Sequence, residues 1–179
     1  DGVSVSFRLS GSETDDLLTK CYRAYSTNIN DILLTALCLS LNKHFGLTTL
    51  GVNLEGHGRE EIDLDIDISR TIGWFTTIYP IVLDVTYDND LAKQLIEVKE
   101  AIHRTPNKGI GYGVLKYLKK TDFILEPEIL FNYLGNFDDE RHADFNQQNF
   151  KFSAEYQGKL HSQLRNRDNV LNVSGMVLN

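Results

Sequence analysis

The order of periodicities along this chain predicts an α+β fold: a two-layer sandwich, with a mixed β-sheet covered by helices. Three observations carry that expectation. Segments of alternating apolar and polar residues interleave with segments whose apolar residues recur at three and four. They run in the order strand, two helices, two strands, two helices, three strands, with no internal repeat. An apolar fraction of 41% over 179 residues supplies a core for one domain, or for one large lobe of something bigger.

VSVSFRL puts Val3, Val5, Phe7 and Leu9 on one face and reads as a strand. Ser12 and Asp15 read as a capping box opening a helix whose stripe is Leu17, Leu18, Cys21, Tyr22 and Tyr25. NINDILLTALCLSLNKHFG is a second helix, from near Asn30 to Gly46, where glycine suits the position beyond the last turn. It is apolar almost all round, which predicts deep burial. LTTLGVNLE is a strand with Leu50, Val52 and Leu54 on one face; Gly51, Asn53 and Glu55 fall on the other. After an acidic stretch, Asp63 to Asp67, WFTTIYPIVLDV reads as another strand. Asp88 or Asn89 then caps a helix with Leu91, Leu95, Val98 and Ile102 on one stripe, a Glu100–Arg104 pair, and Pro106 as its stop. NKGIGYG turns into a short helix through Lys119. EILFNYLGNF, NFKFSAEYQGKL and NVLNVSGMVLN read as three strands.

The same composition excludes several function classes. A net charge of −7 repels a phosphate backbone, and no basic stripe offsets it, so no nucleic acid is expected as a partner. The longest apolar stretch, Ile32 to Leu41, is interrupted by Thr35 and Ser40 and is too short to span a bilayer. No membrane is expected either. Cys21 and Cys38 fall on apolar helical faces without metal spacing, which reads as buried thiols in a reducing cytoplasm. The chain opens on Asp1 without a basic leader and stops within the strand-like VSGMVLN, as a segment of a longer polypeptide would. His44, His57, His103, His142 and His161 show no ligand spacing, so no metal site is expected. His44 and His103 lie in last helical turns, where imidazole interacts well with the helix C-terminus. No G-x-S-x-G elbow supports nucleophilic catalysis. Gly109, Gly111 and Gly113 follow a helix and Pro106, which reads as a helix-to-helix turn, since a dinucleotide loop follows a strand.

LEGHGREEI, Leu54 to Ile62, is the stretch with chemical content. Glycines at 51, 56 and 58 leave the backbone around Glu55 bare, as where a substrate or another chain approaches closely. Spacing leaves two readings open. Glu55 is a proton-transfer carboxylate at the mouth of a strand, or Glu55 and Arg59 merely close a surface turn.

EGHGRE at Glu55–Glu60 resembles a signature of the epimerization domains of nonribosomal peptide synthetases. SRTIGWFTTIYPI at Ser69–Ile81, PNKGIGYG at Pro106–Gly113 and FNYLGNF at Phe131–Phe137 continue the series in order, and NDILLTALCLSL matches a looser helix motif before them. These domains belong to a condensation-like superfamily related in fold to chloramphenicol acetyltransferase. Each is a V-shaped pair of similar lobes with the active site in the tunnel between them. The HHxxxDG motif of the N-terminal lobe, which carries the family's central histidine, is absent here. Residues 1–179 therefore resemble one half-domain, the C-terminal lobe.

The resemblance implies inversion, L to D, at the Cα of an aminoacyl or peptidyl thioester by acid–base proton transfer. The implied partners are the missing N-terminal lobe and a peptidyl carrier domain, whose 4′-phosphopantetheine carries the substrate; no cofactor binds this chain directly. Glu55 and Tyr133 are the implied catalytic residues, with Glu55 facing the histidine of the other lobe. Asn132, His57, Tyr112 and Trp74 are the implied substrate-binding set. Within it, Asn132 contacts the pantetheine or thioester, His57 braces the Glu55 turn, Tyr112 presents its ring to the cavity, and Trp74 with Phe75 shapes the tunnel floor. Arg70 is expected to orient Asp67 or Glu60. Two alternatives stay open, a peptide-bond-forming condensation lobe and a non-catalytic carrier-docking lobe. EGHGRE with GWFT favours inversion over condensation.

Overall fold

A computed structural model of the chain describes residues 2–60, 65–85, 90–136 and 166–177. Helices α1 (Gly11–Thr19), α2 (Cys21–Tyr25) and α3 (Ile29–Phe45) precede strands β1 (Thr49–Gly56) and β2 (Thr77–Asp84). Helix α4 (Leu91–His103), a 3-10 turn at Pro106–Gly109, the single turn α5 (Ile110–Gly113) and a π-turn at Val114–Leu118 follow. Strands β3 (Ile129–Asn136) and β4 (Leu171–Val177) complete a four-stranded sheet in the order β2-β1-β3-β4. The β1–β2 pair is antiparallel and the β1–β3 and β3–β4 pairs are parallel, so the sheet is mixed, as predicted.

Alternation decides which face of the sheet is covered. On β1, Leu50, Val52 and Leu54 are buried while Gly51, Asn53 and Glu55 are not. Tyr79, Ile81 and Leu83 from β2 and Phe131 from β3 join them, and Leu34 and Cys38 of α3 and Val98 of α4 close over that face. Helix α3 starts with a capping box in which Asn28 and Asp31 satisfy each other's backbone N–H groups, and Gly46 ends it at φ +68°. The buried Gln94 of α4 donates to the Asp84 carbonyl at 2.9 Å, fixing that helix to the end of β2. Burial pushes the Cys38 thiol up to about 12, as a core thiol requires.

Several local expectations fail for identifiable reasons. Residues Val3 to Leu9 form no strand among the described residues; Val3 is 92% exposed, because alternation alone supplies no neighbour to pair with. The first helix opens two residues earlier than expected, with Ser10 and Glu13 forming the capping box in place of Ser12 and Asp15. Cys21 is exposed, since the α1–α2 stripe meets no covering layer among the described residues. Helix α3 is buried on one face rather than all round, and Phe45 is exposed. Strand β2 begins at Thr77, three residues after Trp74. Asp90 caps α4, whereas the expected caps Asp88 and Asn89 lie outside the described residues. Arg104 donates from Nε to the Glu100 carbonyl rather than to its carboxylate. The expected helix through Lys119 divides into 3-10, α and π turns. The expected strand at 149–160 lies outside the described residues, as do Asp63 and Leu64 of the acidic stretch.

Candidate functional site

The uncovered face of the sheet carries the candidate polar residues Glu55 and Asn132. The Leu125–Pro127 segment crosses that face beside Gly51, and Asn53 donates to the Pro127 carbonyl at 3.1 Å. Farther along β1, Glu55 lies opposite Ile78 of β2. From β3, Asn132 Nδ2 donates to Glu55 Oε2 at 2.5 Å, and Asn132 is itself paired with Ser174 of β4. Ile78, Glu55, Asn132 and Ser174 thus make one row across all four strands. Burial raises the Glu55 carboxyl above the ordinary glutamate value, and the Asn132 hydrogen bond opposes part of that rise. A half-buried carboxylate with one oxygen held by an amide has the chemistry of a proton-transfer group.

The turn after Glu55 is held from three directions. Gly58 adopts φ +66°, and a Cβ there would lie 1.7 Å from the Phe75 carbonyl oxygen, so only glycine fits. Arg59 donates to the carbonyls of Ile68 at 2.7 Å and Thr71 at 2.8 Å, and its guanidinium stacks 4.1 Å from the Phe75 ring centroid. His57 accepts from the Arg59 N–H at Nδ1, 3.0 Å, while its Nε2 lies 3.1 Å from Glu60 Oε1. The other Glu60 oxygen takes Lys108 Nζ at 2.8 Å.

The expected site residues divide accordingly. Glu55 and Asn132 meet directly, and His57 accepts from the Arg59 N–H within the turn that follows Glu55. Tyr133 does not join Glu55: it follows Asn132 on β3, points to the helix side and packs against the core beside Gly175. Burial raises its phenol pKa. Tyr112 also packs inward, its ring 4.8 Å from that of Phe123 with Lys116 over it. Trp74 is 91% exposed and shapes no packed floor among the described residues, whereas Phe75 lies under Arg59. Arg59, in place of Arg70, organises the Ile68–Thr71 segment; Asp67 accepts from the Ser69 N–H, and Glu60 is engaged by His57 and Lys108. Sequence reasoning missed Lys108 and Ser174, because spacing gives no sign of which strand lies beside which. Among the described residues no cluster of three or more His, Cys, Asp or Glu side chains is placed to hold a metal, and no helix is long and apolar enough to cross a membrane.

A profile of the condensation domain matches residues 1–176. The chain belongs to the condensation-domain family. Its relatives include surfactin synthase subunit 1 of Bacillus subtilis (strain 168), 43% identical over 182 residues, covering 98% of this chain and 5% of that protein. Gramicidin S synthase 1 of Brevibacillus brevis is 49% identical over 140 residues, covering 75% of the chain and 13% of that protein. The chain thus spans a small part of each relative. Among solved structures, the epimerization domain from the third module of tyrocidine synthetase B superposes with a TM-score of 0.84 at 41% identity, covering 97% of this chain and 39% of that one. The first condensation domain of the CDA synthetase, at 16% identity and a TM-score of 0.54 over 68% of this chain and 27% of its own, shares the fold. This condensation-family chain therefore has the chloramphenicol acetyltransferase-like α+β fold that its motifs imply.

Proposed function

We propose that this chain is the C-terminal lobe of an epimerization domain in a nonribosomal peptide synthetase. The observation that carries the reading is the Glu55–Asn132 hydrogen bond, which unites two signature motifs on the face the helices leave uncovered. The 41% identity to the tyrocidine epimerization domain supports inversion over condensation. The substrate is an aminoacyl or peptidyl thioester on the phosphopantetheine of a peptidyl carrier domain, the partner alongside the N-terminal lobe.

Inversion moves two protons. One leaves the α-carbon on one face, its bonding electrons delocalise into the thioester carbonyl, and a proton returns on the opposite face. Glu55 serves one face. Asn132 holds Oε2 and leaves Oε1 directed to the substrate, and partial burial keeps the carboxyl able to take up or give a proton. The acid–base partner on the other face is the histidine of the N-terminal lobe. This chemistry draws on no metal.

The test uses the full-length synthetase in deuterated water. Chiral analysis of the released product should show D-configured residues, with deuterium entering at the α-carbon. Peptide-bond formation with neither inversion nor exchange would establish the condensation reading instead. Carrier binding with no reaction would establish the docking reading. The chain alone should show no turnover above a protein-free control.

A further inference from the structure

We propose that Lys108 is a positioning residue for Glu55: its ammonium, acting through Glu60, locks the turn that follows the Glu55 strand. The proposal rests on the reading of Glu55 as a proton-transfer group.

An exposed lysine–carboxylate pair is ordinarily weak, because two long side chains must be ordered in solvent. Here Glu60 is held beforehand, and Lys108, whose side chain is 73% exposed, is fixed at its backbone. Glu60 is 17% exposed, and its second oxygen is taken by His57. Lys108 sits on a constrained backbone. Asn107 and Lys108 both occupy the left-handed region, at φ 46° and 49°, which side-chain-bearing residues rarely adopt and never favour in succession. Such strain persists where surrounding contacts over-determine the conformation.

Those contacts lead back to Glu55 by a second route. Gly109, at φ +78°, lies against Tyr79 so closely that a Cβ would fall 2.1 Å from the ring. Tyr79 is the cross-strand partner of Leu54, the residue before Glu55. Burial, and after it the negative charge of Glu60, raises the Tyr79 phenol pKa. The Pro106–Gly109 turn therefore grips β1 just before Glu55 through Tyr79, and the loop just after it through Glu60. Two such anchors fix the backbone on either side of Glu55, and with it the position from which its side chain meets the carrier arm.

The test compares Lys108→Met, Lys108→Arg, Glu55→Gln and the Lys108→Met/Glu55→Gln double variant in the full-length synthetase. Misplacing a catalytic group by about 1 Å can cost roughly a hundredfold, so Lys108→Met should lower kcat for inversion about tenfold or more with KM for the carrier-bound substrate unchanged. Arginine should restore most of the rate. The double variant should be no slower than Glu55→Gln alone, because Lys108 acts only through Glu55. Glu60→Gln, which removes the same ion pair from the other side, should repeat the kcat loss and stands in if Lys108→Met misfolds. Parental kcat in Lys108→Met, or losses that multiply in the double variant, would overturn the proposal. The two ideas fail differently: parental inversion by Glu55→Gln removes Glu55 from the mechanism, whereas a dead Glu55→Gln beside a fully active Lys108→Met removes only the anchor.

Discussion

The two faces of the sheet are built from the same strands and obey different physics. On the helix-covered face, Leu50, Val52, Leu54, Ile81 and Phe131 interlock with α3 and α4, and Gln94 enters by donating to a backbone carbonyl. On the open face, one residue along each strand, Glu55 and Asn132 meet among exposed Ile78, Val82, Leu134 and Met176. The covered face stores stability in apolar contact that no single atom dominates. The open face places a carboxylate whose burial costs free energy and returns none to the core. That asymmetry is what the proposed role of the open face rests on.

Substitutions on the two faces should therefore separate rate from stability. The largest effect is expected from Glu55→Gln in the full-length synthetase. General acid–base groups contribute about 10²–10⁴-fold, so inversion should fall by that order while the melting temperature holds. Parental inversion and parental α-hydrogen exchange would erase the functional contrast between the faces. On the covered side, Leu34→Ala should cost about 2–5 kcal/mol in denaturant unfolding. Inversion per folded molecule should stay unchanged; a rate loss exceeding the folded fraction would mean the core also tunes the site.

Asn132→Ala sharpens the comparison on the open face. Hydrogen bonds to charged groups contribute about 1.5–3 kcal/mol, so a roughly ten- to hundredfold loss is expected. The Asn132 bond holds the Glu55 pKa down against burial, so its removal lets that pKa climb further. The limb of the pH–rate profile that reports Glu55 should move to higher pH, and a shift to lower pH would contradict the assignment.

The smallest effect concerns Asp31, buried on the covered side with Oδ1 unpartnered among the described residues. Burial raises its folded pKa, with the Asn28 hydrogen bond and His103 and Lys99 opposing. The folded state then keeps its proton longer than the unfolded one. Its contribution to stability is greatest below the ordinary aspartate pKa and declines as pH rises to the folded value. Asp31→Asn should flatten that slope in unfolding curves taken from acid to neutral pH, and an unchanged slope would assign the pH dependence elsewhere.

Local periodicity made much of this fold legible. The alternation in β1 separated Glu55 from Leu54 correctly, and Gly46 marked the end of α3, because side-chain direction and backbone handedness are set within a few residues. The same local signals misled where partners decide. Val3 to Leu9 alternate like a strand yet pair with nothing among the described residues, and the α1–α2 stripe meets no covering layer there.

Of the site, the motifs gave Glu55, Asn132 and His57 by residue type and order. Tyr133 fell on the wrong side because strand parity, not motif membership, sets its direction: if Asn132 reaches Glu55, the next residue must point into the core. Lys108 and Glu60 are separated by the whole of β2 and α4, and no spacing rule joins them. What the sequence determined by itself is the alphabet of elements and the side of β1 on which Glu55 falls. Which strand lies beside which, which loop folds onto the Glu55 turn, and how far its carboxyl is desolvated were decided by the tertiary structure, because pairing and burial depend on residues distant in the chain.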